Sequence, residues 1–240
     1  MVQRTGRKTF ILIHGAYHGG WCWRRVSDLL EQAGHKVYAP SLTGNADRSH
    51  LMSLNIKLDT QIADIANLAI WEDLHDICLV AHSFGGWPAS GAIETVYDRV
   101  GAIVFVDAFK PANGERGIDV VSEHSRAAMQ QAVARGEAGR APPAARLFSL
   151  SERDYPWIES KLTAQPNGPA MQPIRLTGKR ETIAKKTYIR APKYQQPAFD
   201  RALAECRADA TWRTFVNETS GHDIMIDEPQ WLADILLDAS

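Results

Sequence analysis

The sequence predicts an α/β fold in which a mostly parallel six-stranded sheet is flanked by helices and carries one inserted cap. The first observation is that short β-branched apolar runs, bounded by glycine, proline or aspartate, alternate with amphipathic stretches. The runs interpreted as strands lie at residues 9–14, 36–39, 77–81, 102–106, 187–190 and 211–216. Because strand and helix alternate, the strands are expected to run parallel.

The second observation is the spacing of apolar residues between these strands. They recur at intervals of three and four, as expected for helices that pack one face on a sheet. The predicted helices lie at residues 23–33, 60–68, 86–97, 197–206 and 229–237.

The third observation is a break in the alternation between Lys110 and Lys185, where prolines recur and no strong strand pattern occurs. We expect a single domain, with a core of residues 1–110 and 186–240 and a cap inserted at about 111–185. Residues 120–134 and 151–162 of the cap have helical patterns, and residues 136–143 are expected to form an exposed connection. A cap above the carboxyl ends of the strands would cover the usual ligand crevice of such a sheet.

Composition and charge exclude several classes of function. The 240 residues include 27 Lys and Arg against 28 Asp and Glu, so no basic excess favours nucleic acid or a membrane surface as a partner. The cysteines have no paired spacing, which predicts neither a disulfide framework nor a zinc site and favours the cytoplasm. They are Cys22, Cys78 and Cys206. We expect no metal, no organic cofactor and no targeting segment, and either a monomer or a homodimer.

The strongest local motif is Ala81-His82-Ser83-Phe84-Gly85, which joins an apolar strand to a helical pattern. It is typical of a nucleophile elbow, in which a serine occupies a sharp turn and small residues two positions away let neighbouring backbone approach. Ser83 is therefore the predicted nucleophile. The alternative is a serine that only caps the following helix.

A glycine-rich turn at residues 14–21 follows the first strand. Acyl transfer needs backbone N–H groups aimed at a developing oxyanion. Such a turn can supply one of them, and the residue after the nucleophile can supply the other. Ala16 and Phe84 are the predicted donors, and the alternative is a turn whose glycines serve backbone geometry alone.

His222 is the predicted general base, because it lies in the loop after the last strand and follows Ser83 in the chain order of nucleophile, acid and histidine. Three histidines flank the two turns and are expected to orient backbone groups: His14, His18 and His82. The others are expected on the surface or in the cap: His35, His50, His75 and His124.

These motifs together resemble the α/β-hydrolases, specifically the compact branch of plant methylesterases, plant hydroxynitrile lyases and small bacterial esterases. The matching segments are 14–23 (HGAYHGGWCW), 34–44 (GHKVYAPSLTG), 74–86 (LHDICLVAHSFGG), 103–111 (IVFVDAFKP) and 221–225 (GHDIM). The resemblance implies a serine esterase that forms an acyl-enzyme on Ser83. Its substrate would be a small hydrophobic or aromatic ester, or a carbamate, since bacterial relatives include aromatic carbamate hydrolases.

The catalytic acid departs from the pattern of many family members, which place it after the penultimate strand. That segment, residues 188–194, contains no carboxylate here. Some α/β-hydrolases take the acid from the end of the neighbouring strand, where this chain has Asp107. A carboxylate at such a buried position is expensive unless it has a partner, so Asp107 is the predicted acid. The alternatives are that it only caps a turn, or that the acid is Asp223, Asp200 or Asp209.

Six side chains are expected to line an apolar substrate pocket: His18, Trp21, Phe109, Met129, Phe148 and Trp157. Two other activities stay open. A hydroxynitrile lyase would, by resemblance, carry a threonine and a lysine where this chain has Gly15 and Asp223, which disfavours that reaction. A non-catalytic ligand receptor could dispense with the catalytic residues, whereas this chain keeps Ser83 and His222.

Overall fold

The computed structural model describes residues 6–240 except for the side chain of His124, so the sequence assignments for residues 1–5 and for that side chain lie outside the described residues. The strands are β1 (Thr9–Ile13), β2 (Lys36–Tyr38), β3 (Ile77–His82), β4 (Val100–Val106), β5 (Gly139–Arg140), β6 (Gln165–Pro166), β7 (Lys185–Arg190) and β8 (Trp212–Val216). Six of them form one parallel sheet in the order β2-β1-β3-β4-β7-β8. The predicted fold class is confirmed, and each predicted strand overlaps a strand of this sheet.

The helices are α1 (Arg24–Gln32), α2 (Leu58–Trp71), α3 (Gly86–Val96), α4 (Glu123–Ala134), α5 (Tyr155–Glu159), α6 (Gly168–Met171), α7 (Pro197–Ala208), α8 (Ile224–Asp227) and α9 (Pro229–Ala239). Helices α1 and α9 cover one face of the sheet, and α2, α3 and α7 cover the other. Every residue of β3 is buried, as expected for a central strand that is covered on both faces. Within residues 6–240, no helix is both long and apolar enough to cross a membrane.

The segment between β4 and β7 contains α4, α5 and α6 and a short antiparallel ribbon of β5 and β6. The expectation of an exposed connection at residues 136–143 is wrong for Gly139 and Arg140, which pair with β6 and are half-buried. The helix expected at residues 151–162 is shorter, because a 3-10 turn at Glu152–Asp154 precedes α5.

The register of the sheet aligns three residues at the carboxyl ends of neighbouring strands. His82 of β3 pairs with Val106 of β4, and Val106 pairs with Ile189 of β7. The next residue of each strand therefore lies at the same edge of the sheet. In this way the sheet alone brings Ser83, Asp107 and Arg190 into one row.

Gly86, the first residue of α3, holds the helix against the chain after β4. A Cβ atom added at Gly86 would lie 1.9 Å from the Phe109 carbonyl oxygen. We expect Gly86→Ala to lower the free energy of unfolding by about 1–3 kcal/mol, because backbone must move to admit the methyl group. Urea unfolding would measure this, with Gly6→Ala as control, since a Cβ there meets nothing within 4 Å. Equal losses in the two variants would contradict the packing argument.

Candidate active site

Ser83 occupies a sharp turn between β3 and α3. Its φ of 51° lies in the left-handed region, which is strained for a residue other than glycine. Two glycines let backbone approach this turn closely. A Cβ at Gly85 would lie 2.6 Å from the His14 carbonyl oxygen, and a Cβ at Gly15 would lie 2.7 Å from Cβ of Ser83. The turn thus has the geometry of a nucleophile elbow.

Ser83, His222 and Asp107 form one hydrogen-bonded chain. Nε2 of His222 lies 2.8 Å from Oγ of Ser83, and Nδ1 lies 2.6 Å from Oδ2 of Asp107. Because an ionised carboxylate can only accept, Nδ1 carries a proton and donates it. Nε2 of the neutral ring is then free to accept from the Ser83 hydroxyl. All three side chains are buried.

The other carboxylate oxygen of Asp107 accepts hydrogen bonds from a second set of donors. Oδ1 accepts from Nη1 of Arg190 at 2.7 Å and from the Ala191 N–H at 2.9 Å. Arg190 ends β7 and is fully buried, and its Nε donates to Asp200. The end of β7, which carries no carboxylate, therefore supplies the cation that pairs with the Asp107 carboxylate at the end of β4. Sequence reasoning missed Arg190. An arginine that directly follows two apolar strand residues is expected to be buried, and a buried arginine needs a carboxylate partner.

The His222 ring is packed from several sides by aromatic rings. Tyr194 stacks on it with ring centroids 4.1 Å apart, and Phe199 and Phe148 lie at 5.7 and 6.2 Å. Burial, together with the charge of Asp107, raises the pKa of Tyr194 to about 12, so its hydroxyl stays neutral. The loop is also fixed by its backbone, because the His222 N–H donates to the Phe148 carbonyl.

Ala16 lies in the turn after β1, directly after Gly15, and lines the same cavity as Ser83. The hydrogen bonds of the described residues include none donated by the Ala16 N–H. His14 orients the same peptide unit, because its Nδ1 donates to the Gly15 carbonyl at 2.7 Å while Nε2 accepts from the Leu42 N–H. Burial lowers the pKa of His14 to about 4, so the ring is neutral. Ala16 and Phe84 both line the cavity above Ser83.

The remaining histidines of the two turns also hold backbone carbonyls, as expected from their positions. Nδ1 of His18 donates to Ala16, and Nε2 of His82 donates to the carbonyl of His222. Among the alternative acids, Asp223 pairs with His18 and Asp209 bonds Thr211.

The third alternative acid, Asp200, bonds Arg190. In the described hydrogen bonds, the carboxylate that contacts the His222 ring is that of Asp107.

A cavity of about 920 Å³ opens above Ser83. Four of the six side chains expected in the pocket line it: His18, Phe109, Met129 and Phe148. The expectation was wrong for Trp21 and Trp157, which pack edge to face on each other at 5.1 Å, with Trp21 stacked behind His18. Sequence reasoning missed Arg140, a half-buried cation that donates to the hydroxyl of Tyr17 at the cavity wall.

Among the described residues, one group could bring metal ligands together. His82, His222 and Asp223 each offer a ligand atom, and these atoms lie within 4.8 Å of one another. Both nitrogens of His222 are engaged by Ser83 and Asp107, and Asp223 bonds His18. Hydrogen bonds to Ser83, Asp107 and His18 are therefore sufficient to explain the positions of the His222 ring and of one Asp223 oxygen.

A model described as the alpha/beta hydrolase family matches residues 10–235. The chain is 30% identical to a carbendazim hydrolyzing esterase from Nocardioides sp. (strain SG-4G), over 95% of this chain and 97% of that protein. It is 28% identical to a putative chloroplastic methylesterase 13 from Arabidopsis thaliana, over the whole of this chain and 57% of that one. An extracellular alpha/beta-hydrolase from a Paenibacillus species has the same fold, with a TM-score of 0.84 and 23% identity over 97% of this chain and 99% of that one.

The neutral state of buried His14 makes stability depend on pH. The unfolded ring takes up a proton at its ordinary pKa of 6.5, whereas the folded ring does so only near 4. Between these values the unfolded state binds more protons, so the free energy of unfolding falls as the pH falls. The contribution of His14 is about 3 kcal/mol over this window.

Urea unfolding at a series of pH values would measure the effect in wild type and in His14→Gln. We expect the variant to lose less stability between about pH 6.5 and 4 than wild type does. His50→Gln, at an exposed histidine, is the control and should match the wild-type slope. Parallel curves for wild type and His14→Gln would contradict the assignment of a neutral ring.

Proposed function

The chain belongs to the alpha/beta hydrolase family, and on that premise we propose that it is a serine esterase that forms an acyl-enzyme on Ser83. Its substrate is a small hydrophobic or aromatic carboxylic ester or carbamate. The observation that carries the proposal is the buried chain from Ser83 through His222 to Asp107, with contacts of 2.8 and 2.6 Å. This is the arrangement that serine hydrolysis needs.

In the proposed reaction, Oγ of Ser83 attacks the carbonyl carbon while Nε2 of His222 takes the hydroxyl proton. His222 then donates that proton to the leaving group, and the acyl-enzyme forms. Asp107 holds the ring with Nδ1 protonated and stabilises the positive charge that develops on it. A water molecule, activated by His222 in the same way, attacks the acyl-enzyme, and Ser83 recovers its proton.

The N–H groups of Ala16 and Phe84 are the proposed oxyanion donors. Ala16 directly follows Gly15, whose added Cβ would lie 2.7 Å from Cβ of Ser83, and Phe84 directly follows the nucleophile, which supports both as donors. Both donors are fixed before the substrate arrives, because His14 holds the Gly15 carbonyl and α3 begins two residues after Phe84. Each is worth about 10²- to 10³-fold in rate.

The cavity supports a small apolar substrate rather than a polymer. Its volume of about 920 Å³ falls within the range of small-molecule sites, and aromatic and thioether side chains form part of its wall. A relative that covers nearly the whole chain is named for hydrolysis of carbendazim, which supports a carbamate beside a carboxylic ester. The segment at residues 111–185 acts as the cap over this cavity, since it contributes Met129 and Phe148 to the wall. Cytoplasmic location and the choice between monomer and homodimer stay predictions.

A stopped-flow burst with p-nitrophenyl acetate tests the acyl-enzyme. Wild type should release about one equivalent of p-nitrophenol per active site before steady turnover, because acylation of Ser83 by this activated ester is expected to be faster than hydrolysis of the acyl-enzyme. Folded Ser83→Ala should show no burst and lose roughly 10⁶-fold in turnover.

The control for this burst is Ser27→Ala, because Ser27 is as buried as Ser83, at 9% exposure, and lies on α1. It should keep the wild-type burst. A burst that survives in Ser83→Ala would contradict the assignment of the nucleophile.

Asp107→Asn tests the acid. An amide at position 107 can donate an N–H to Nδ1 of His222 and so favour the tautomer that lacks a proton on Nδ1. Turnover should therefore fall about 10⁴-fold while the protein stays folded. Steady-state hydrolysis would be compared with Asp200→Asn, which changes the other carboxylate on Arg190 and should keep turnover within about tenfold of wild type. A folded Asp107→Asn with wild-type turnover would remove Asp107 from the mechanism.

A further inference from the structure

A second histidine–carboxylate pair lies beside the proposed catalytic residues. Nε2 of His18 lies 3.0 Å from Oδ2 of Asp223, and neither side chain is more than 1% exposed. His18 belongs to the turn after β1 and Asp223 directly follows His222 in the chain. The proposed mechanism gives this pair no role. Burying two ionisable groups is costly unless they pair with each other and make further hydrogen bonds.

The hydrogen bonds of His18 define its protonation state. Nδ1 faces the Ala16 carbonyl oxygen at 2.8 Å, and Nε2 faces the Asp223 carboxylate. A carbonyl and an ionised carboxylate can only accept, whereas a neutral imidazole has a single N–H to donate. With both ring nitrogens donating, His18 is an imidazolium and Asp223 is ionised.

The electrostatic environment favours the same charges. Burial alone would lower the pKa of His18, but the charge and hydrogen bond of Asp223 and the bond to Ala16 raise it above its ordinary value. Burial alone would raise the pKa of Asp223, but the charge of His18 and its hydrogen bond lower it.

The neighbours of the pair are neutral. Burial lowers the pKa of His14 and that of His82, so both rings are uncharged at neutral pH. Burial and the charge of Asp223 raise the pKa of the Cys22 thiol. Among the described residues, His18 is therefore the cation in contact with Asp223.

Asp223 also lies close to the general base. One of its oxygens and a ring nitrogen of His222 belong to a group of ligand atoms within 4.8 Å of one another. The other titratable or charged groups around His222 are Ser83, His82, Asp107, Tyr194 and, through Asp107, Arg190. An uncompensated carboxylate at this distance would favour the protonated form of His222. That form cannot take the proton of Ser83.

We propose that His18, held as an imidazolium by Asp223, offsets the charge of Asp223 beside His222 and thereby keeps His222 able to act as a base. The proposal rests on the proposed function. It makes His18 and Asp223 a positioning pair that acts through His222. Each carboxylate near the His222 ring then has its own cation: Asp107 has Arg190, and Asp223 has His18.

The pH dependence of kcat/KM for p-nitrophenyl acetate tests the proposal with a double-variant cycle. In His18→Gln the carboxylate of Asp223 loses its cation and keeps only the neutral His82 ring, whose Nε2 lies 3.5 Å from Oδ1, so the acid limb of the profile should move up by about one pH unit or more. In Asp223→Asn and in the double variant the carboxylate is gone, so the limb should not lie above that of wild type. His50→Gln is the matched control at an exposed histidine. An acid limb of His18→Gln that coincides with wild type, or that stays raised in the double variant, would overturn the proposal.

Nitrogen NMR of ¹⁵N-histidine-labelled wild type tests the charge without any variant that must fold. Both ring nitrogens of His18 should remain protonated above pH 6.5, the ordinary pKa of the ring. Loss of a proton at or below its ordinary value of 6.5 would overturn the proposal. This measurement needs no turnover, so a protein that fails to hydrolyse the ester would count against the proposed function while the NMR result still decides the state of His18.

Discussion

The buried carboxylate of Asp107 is the group on which the rest of the site depends. It lies at the end of β4, where an unpartnered charge would be costly, so every one of its contacts must be supplied by the fold. Arg190 and the Ala191 N–H satisfy one oxygen, and His222 satisfies the other. The orientation of the His222 ring, and with it the contact to Ser83, follows from this arrangement.

The parallel sheet makes the arrangement possible by holding strained residues in place. Ser83 and Asp107 both have positive φ values, of 51° and 44°. Ser83 follows β3, which is buried throughout, and Asp107 follows the buried end of β4. Such conformations persist only where the surrounding structure fixes them. The register of β3, β4 and β7 sets their spacing, and glycines at positions 15, 85 and 86 let three backbone segments meet around the turn.

The sequence predicted the parts of the molecule that local pattern determines. Strand positions follow from β-branched runs, and Ser83 and His222 stand out because their turns need particular small residues and a particular chain order. The partners of buried charges were not predictable in this way. That Arg190 meets Asp107, or that His18 meets Asp223, depends on how segments far apart in sequence pack. The same limit explains Trp21 and Trp157, whose pairing with each other is a tertiary contact.

The structure of the protein inhibited by a p-nitrophenyl phosphonate would test the central claim most directly. We expect a bond from phosphorus to Oγ of Ser83 and the phosphonyl oxygen within about 2.7–3.1 Å of the N–H groups of Ala16 and Phe84. His222 should stay hydrogen-bonded to Asp107. A phosphonyl group on another residue, or a His222 ring held by a carboxylate other than Asp107, would contradict the account.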